Sequence, residues 1–209
     1  MRESAIIGRK GIFIVFEGLD GAGKTTQSKM LVESLKKRGI DTVYLKEPTS
    51  GRWGKKIREI AVRGRADVTL EEELDFFIKD RREDVENNIL PALGSGRTVV
   101  MDRYIPSNMA YQGALGFDVK TILEKNAQFP QPDAVFFLDV APDTGLARIS
   151  RGREGGTNEG YEKPDYLEKV FEVYRRKEFN YMTRLNGSRS ADETHEEIME
   201  KVLAILEPD

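Results

Sequence analysis

Predominantly apolar runs recur along the chain at residues 11–16 (GIFIVF), 41–46 (DTVYLK), 98–101 (TVVM) and 133–139 (DAVFFLD), with a more polar fifth at 182–187 (MTRLNG). Apolar character without strict alternation predicts strands covered on both faces. The stretches between them carry helix punctuation. A first helix is expected from Lys24 to Arg38, with Lys36, Lys37 and Arg38 in its last turn and Gly39 just beyond. Thr69-Leu-Glu-Glu72 and Ser190-Ala-Asp-Glu193 are capping boxes, and Pro142 and Pro164 stand where helices begin. A long helix is expected from about 70 to 90, its apolar face formed by Leu74, Phe77, Ile78 and Val85 with Arg81 among them. Strand and helix in turn predict an α/β fold, a five-stranded, mainly parallel sheet flanked by helices. With no internal repeat or linker, the 209 residues read as one domain, 1–209.

Composition narrows the field only slightly. The chain carries a formal net charge of -3 with 33% charged residues, which gives no electrostatic reason to expect nucleic acid as a partner. It has no cysteine, which fits a reducing cytosol and rules out thiolate metal sites. No apolar stretch reaches the roughly 20 residues of a membrane span, and the N-terminal MRESAIIGRKG lacks a signal-peptide core. The expectation is a cytoplasmic protein with no membrane partner.

The chemistry begins directly after the first strand. Gly18-Leu-Asp-Gly-Ala-Gly-Lys24-Thr25 matches GxxxxGK[ST] and leads into a helix, as a phosphate loop must. Backbone N–H groups of such a loop turn inward around phosphates, and the helix N-terminus adds partial positive charge. Gly18, Gly21, Ala22, Gly23, Lys24, Thr25 and Thr26 are therefore the candidate ATP-binding set, with Lys24 reaching the β and γ phosphates and Thr25 ligating Mg2+. The fold expected is the three-layer P-loop NTPase fold.

A phosphate loop does not by itself separate a motor, a switch and a kinase. A guanine-selecting Asn-Lys-x-Asp is absent from the sequence. Asp102 ends an apolar strand, on the edge where ligands bind, and is a candidate to hold Mg2+. It is followed by Arg103, not by a second acid; a planar fork there suits an anionic oxygen pair. Arg148, Arg151 and Arg153 adjoin a glycine-rich stretch, so about 150–162 reads as a mobile lid that closes over phosphates, the alternative being a solvated basic loop. On the 70–90 helix Phe77 and Arg81 stand one turn apart, and the pattern leaves two readings: Phe77 as core with Arg81 snorkelling out of it, which pattern alone favours, or a ring and a guanidinium that stack on a base and bond its edge.

The single histidine, His195, lies far along the chain from the phosphate loop and reads as structural. An alcohol acceptor would want a general base, whereas a phosphate monoester, with a second pKa of about 6, arrives largely ionised and needs cations instead. Several arginines with Lys24 and Mg2+ favour a nucleoside monophosphate as acceptor.

Taken together, FIVFEGLDGAGKTTQ, the Glu47-Pro48 turn and DRYIPSNMAYQG resemble the thymidylate kinase family, over roughly residues 11–206. The resemblance implies ATP-dependent phosphorylation of dTMP to dTDP with Mg2+, by a homodimer. It implies Asp20 on the sugar 3′-hydroxyl, Arg103 on the acceptor phosphate, Phe77 stacked on thymine and Arg81 at its edge. It further places Ser107 and Gln112 at the base, Tyr111 behind the deoxyribose, and Arg148 near adenine. Arg151 and Arg153 would be the basic lid residues of a chain whose loop has none. After Glu47-Pro48 many relatives continue Gly-Gly-Thr; here the chain reads TSGRWGKK, which brings Arg52 into view for phosphate. The rival readings are a uridylate or cytidylate kinase and, in another class, a P-loop ATPase or switch.

Overall fold

The computed structural model describes residues 11–152 and 163–206. Five strands, β1 (Phe13–Glu17), β2 (Thr42–Lys46), β3 (Thr98–Asp102), β4 (Ala134–Asp139) and β5 (Thr183–Asn186), form one sheet in the order β2-β3-β1-β4-β5. Every pairing is parallel, with Phe13 opposite Val99 and Ile14 opposite Ala134. The sheet thus matches the expectation, and fully parallel pairing explains the apolar runs. Along β1, Phe13 and Val15 enter one core, while Ile14 and Phe16 enter another on the opposite face. A strand that feeds two cores has no polar side to show.

The helices divide accordingly. α1 (Lys24–Lys37) and α9 (Ala191–Leu206) cover the Ile14 face through Leu31, Leu35, Ile198 and Val202. The other face is covered by α3 (Leu70–Asp84), α5 (Ile105–Ala114), α6 (Val119–Asn126) and α8 (Pro164–Tyr174), with Leu74, Met109, Ile122 and Val170 in that core. α2 (Arg52–Arg63) lies against α3, and α7 (Pro142–Gly152) follows β4. Three layers result, as the pattern predicted.

The punctuation holds in detail. Thr69 and Ser190 each close a capping box: the Thr69 N–H donates to Glu72 Oε2 at 2.9 Å and its hydroxyl oxygen accepts from the Glu72 N–H at 3.2 Å, and the matching Ser190–Glu193 bonds are 3.0 and 3.2 Å. Pro142 and Pro164 open α7 and α8. The long helix expected over 70–90 departs from regularity at its end. After Asp84 the chain widens into one π turn, Val85–Ile89, and continues as α4 (Leu90–Gly94). Pro91 explains this: it has no N–H for the i→i−4 bond, and the wider turn takes up the break. The face of α3 is also less apolar than its pattern: Glu73, Asp80 and Asp84 are buried beside Leu74 and Ile78.

Candidate functional site

All five strands run parallel, so their C-terminal ends open on one edge, where α/β sheets bind ligands. At that edge the phosphate loop leaves β1 and turns into α1. Gly21 and Gly23 take φ of 77° and 100°. At Gly21 a Cβ would also lie 2.1 Å from the Gly145 carbonyl oxygen, so the loop needs glycine for both reasons. Gly145 returns the constraint, since its own Cβ would meet the Asp20 carbonyl at 2.5 Å. The phosphate loop is therefore seated directly on α7.

Two cavities occupy the edge. One, of about 480 Å3, is lined by Gly21, Ala22, Gly23, Lys24, Thr25 and Thr26 and reaches Arg148, Gly187 and Arg189. The other, of about 300 Å3, is lined by Glu47, Pro48, Ile57, Arg58, Phe77, Ser107, Asn108, Tyr111 and Gln112. Both sizes are in the range of small-ligand sites. The two share Asp20, Lys46 and Arg103. Two ligands would thus meet at a joint made of one carboxylate and two cations.

Arg103 is fixed at this joint from several sides. It follows β3 with φ of 74°, a left-handed conformation unusual for a side-chain-bearing residue, and its N–H donates to the Phe16 carbonyl at 3.0 Å. The guanidinium donates to Asp20 Oδ1 at 2.7 Å, to Ser107 Oγ at 3.0 Å and to the Tyr111 hydroxyl at 3.1 Å. Its charge persists although burial opposes it, because Tyr111, Asp20, Tyr174 and Glu17 surround it; its pKa is raised well above the usual value. In Asp20 burial likewise opposes ionisation, but Arg103 and Lys24 prevail and hold the carboxyl below the usual carboxylate range. Lys24 is the reverse case. Burial and the nearby Arg103 charge lower it to about 8, and its Nζ donates to the Leu19 carbonyl at 2.6 Å.

Asp102 ends β3 at the floor of the joint. Its Oδ2 accepts from the Thr25 hydroxyl at 2.5 Å and the Tyr44 hydroxyl at 3.2 Å, and lies 3.2 Å from Lys46 Nζ. Its buried Oδ1 has no partner among the described residues. Thr25 and Asp102, far apart in sequence, are therefore a hydroxyl and a carboxylate side by side with an oxygen to spare. That donor set fits a hard cation such as Mg2+.

Of the sequence-nominated residues, Gly18 closes the turn behind the loop at φ 143°. Arg148 lines the larger cavity while donating to the Gly187 carbonyl at 2.9 Å. Phe77, half-buried, lines the smaller one with Ser107, Tyr111 and Gln112. Arg81 is placed differently: only 1% exposed, it stands behind that wall, bonded to Glu47, Asn108 and Asn126 at 2.5 Å each. Arg151 is exposed in the last turn of α7. Arg153 and most of the 150–162 lid lie outside the described residues. Arg52 lines neither cavity; it pairs with Glu83 at 2.7 Å.

Three residues escaped the sequence reading, and a fourth, Glu47, was noted there only as part of a turn. Lys46 ends β2 on the ligand edge, and the logic applied to Asp102 would have found it. Arg58 lines the smaller cavity while holding the carbonyls of Pro48 and Thr49; nothing distinguishes it in sequence from its basic neighbours. Glu17 is fully buried and accepts from Tyr104 N–H at 2.8 Å, the Ser107 hydroxyl at 2.7 Å and the Tyr174 hydroxyl at 2.9 Å, so it holds the segment carrying Arg103. Burial raises its pKa against the pull of Arg103. Glu47, also buried, is raised to about 8 by desolvation despite Arg81.

A phosphate loop on a parallel three-layer sheet, with two cavities joined at charged residues, defines a P-loop nucleotide-binding protein. Comparison with known proteins narrows this class. A family model described as thymidylate kinase matches residues 16–198. The chain is 43% identical to a thymidylate kinase of Desulfotalea psychrophila over 196 residues, 94% of this chain and 96% of the relative. It is 39% identical to one of Xylella fastidiosa over 94% and 88% of the two chains, and 43% identical to one of Xanthomonas oryzae over 87% and 78%. The chain belongs to the thymidylate kinase family.

Proposed function

We propose that this protein transfers the γ-phosphoryl group of ATP to dTMP, forming dTDP. The observation that carries the reading is the joint: two nucleotide-sized cavities meet at Asp20, Lys46 and Arg103, so that two phosphate chains would lie end to end. The larger cavity would take ATP, its triphosphate wrapped by the 18–25 loop and Lys24. The smaller would take the monophosphate, with Phe77 against the base, Ser107 and Gln112 at its polar edge, Arg81 backing that edge and Tyr111 behind the sugar. Asp20 would accept from the 3′-hydroxyl, and Arg103 would grip the acceptor phosphate with Arg58 nearby.

Thr25 and Asp102 would hold Mg2+, which when bound neutralises charge on the phosphates. Lys24 and Arg103 supply fixed positive charge where negative charge gathers, and the residues act by positioning without a covalent intermediate. Arg151 and Arg153 would bring further charge from the lid. No side chain is required to take a proton, because the acceptor oxygen arrives ionised.

The proposal extends to a single domain over 1–209 with a lid at about 150–162, working in the cytoplasm as a homodimer without nucleic-acid or membrane partners. Among the described residues no helix is long and apolar enough to cross a membrane. A coupled assay with ATP alone, then with dTMP and a panel of other monophosphates, tests the activity. ATP hydrolysis indifferent to dTMP would refute it, and preference for uridylate or cytidylate would move the acceptor.

A further inference from the structure

Three cations gather about the joint, and they are not held alike. Lys24 is buried with its Nζ on the Leu19 carbonyl at 2.6 Å, and Arg103 is bonded to Asp20, Ser107 and Tyr111. Among the described residues the Lys46 ammonium has two partners, Asp102 Oδ2 at 3.2 Å and Thr25 Oγ1 at 3.3 Å. Those are the two residues that would hold Mg2+. Resting on that reading, we infer that Lys46 is a built-in competitor for the metal: its ammonium and Mg2+ claim the same oxygens, and the phosphates of the bound nucleotide decide between them by offering the ammonium another partner.

The sheet dictates this placement. Lys46 ends β2, Asp102 ends β3, and the two are register partners on adjacent parallel strands, so their side chains leave the ligand edge together. Tyr44, two residues back and hence on the same face, also donates to Asp102 Oδ2, at 3.2 Å. Mg2+ binds oxygen at about 2.0–2.1 Å. With Thr25 Oγ1 as a ligand, it would stand within about 5.5 Å of an ammonium that lies 3.3 Å from that oxygen, whatever the angle between them. Two positive centres at that range repel. Lys46 is the one that can yield, because its side chain is 48% exposed on a flexible stem, whereas that of Asp102 is fully buried. It lines both cavities, so it can turn to phosphates in either. Tyr44 still holds Asp102 after the ammonium has left.

The competition couples metal to nucleotide. Without nucleotide, displacement leaves the ammonium with water in place of a buried carboxylate. With a triphosphate bound, the displaced ammonium gains a phosphate oxygen. Nucleotide therefore strengthens metal binding and, by reciprocity, metal strengthens nucleotide binding. Lys46 then adds its positive charge to the fixed charges of Lys24 and Arg103 where negative charge gathers.

The test is a titration of the full-length protein with Mn2+ alone, at low ionic strength and without nucleotide, followed by electron paramagnetic resonance. Lys46→Met should bind Mn2+ about tenfold tighter than the wild type, since a unit charge about 5 Å from a divalent ion contributes roughly that factor even at the dielectric constant of water. Lys46→Arg keeps the charge and should stay within about threefold of the wild type. Adding Asp102→Asn to Lys46→Met should abolish the gain. In the presence of MgATP and dTMP, Lys46→Met should lose at least about tenfold in kcat. Mn2+ affinity that is unchanged or weaker in Lys46→Met, or a gain that survives Asp102→Asn, overturns the competition. Tighter Mn2+ binding with kcat unchanged overturns the turn toward the phosphates. If Lys46→Met fails to fold, Lys46→Gln carries the same expectations. If the wild type phosphorylates no dTMP, the acceptor reading fails separately, and Mn2+ affinity still reports on Lys46.

Discussion

Replacing Arg103 with alanine removes the cation that both cavities share. In the structure its guanidinium has one charged partner, Asp20, and two hydroxyl partners, so its fork is already aimed at the joint. A hydrogen bond to a charged group contributes about 1.5–3 kcal/mol. Losing a two-pronged grip on the acceptor phosphate should therefore remove about 3–6 kcal/mol, roughly two to four orders of magnitude in kcat/KM for dTMP. The KM for ATP should rise much less, because Lys24 and the loop amides remain. Stability supplies a second reading. The ion pair with Asp20, 12% and 35% exposed on its two sides, contributes about 1 kcal/mol after screening. The positive φ of residue 103 costs alanine about 1–2 kcal/mol and glycine almost nothing. Arg103→Gly should accordingly melt about 2–8 °C above Arg103→Ala while remaining equally impaired. A coupled spectrophotometric assay over both substrates, with thermal melts of the two variants, provides the test. Equal damage to ATP and dTMP use would refute the acceptor role, and identical melting temperatures would refute the backbone argument.

Gly145→Ala drives a methyl group into the Asp20 carbonyl, and overpacking of this kind costs about 1–3 kcal/mol. It should weaken ATP binding by about tenfold by moving the phosphate loop, and unchanged nucleotide affinity in calorimetry would contradict that. Lys24 sits at about 8 because burial and Arg103 disfavour its charge, whereas a bound triphosphate favours it. Binding of MgATP should then take up little proton at pH 6.5 and up to one above pH 8. Titration heats at pH 8.5 that do not depend on the buffer's ionisation enthalpy would exclude this. Phe77→Ala should raise KM for dTMP about tenfold, as expected for a lost stacking contact of about 1–3 kcal/mol. An unchanged KM would return Phe77 to a packing role.

Much of the molecule was legible in one dimension because the signals are local. Unbroken apolar runs follow from strands covered on both faces, and capping boxes and prolines mark helix starts by bonds within four residues. The phosphate loop is a contiguous backbone device, and Asp102 and Arg103 stand next to a strand end whose position is itself readable. The π turn at Val85–Ile89 was signalled by Pro91, but a single proline does not say how the helix absorbs the break. Tertiary structure decided the rest, since those features depend on which distant segments touch. Gly145 looks like an ordinary helical glycine until the phosphate loop lies on it. Glu17 and Glu47 look like surface charges until burial and their partners are known. Arg81 carries the same sequence signal whether it enters a cavity or backs its wall, and only the contacts of Asn108, Asn126 and Glu47 place it behind. Periodicity reports which way a side chain faces along its own element; what it meets there is set by the packing of other elements against it.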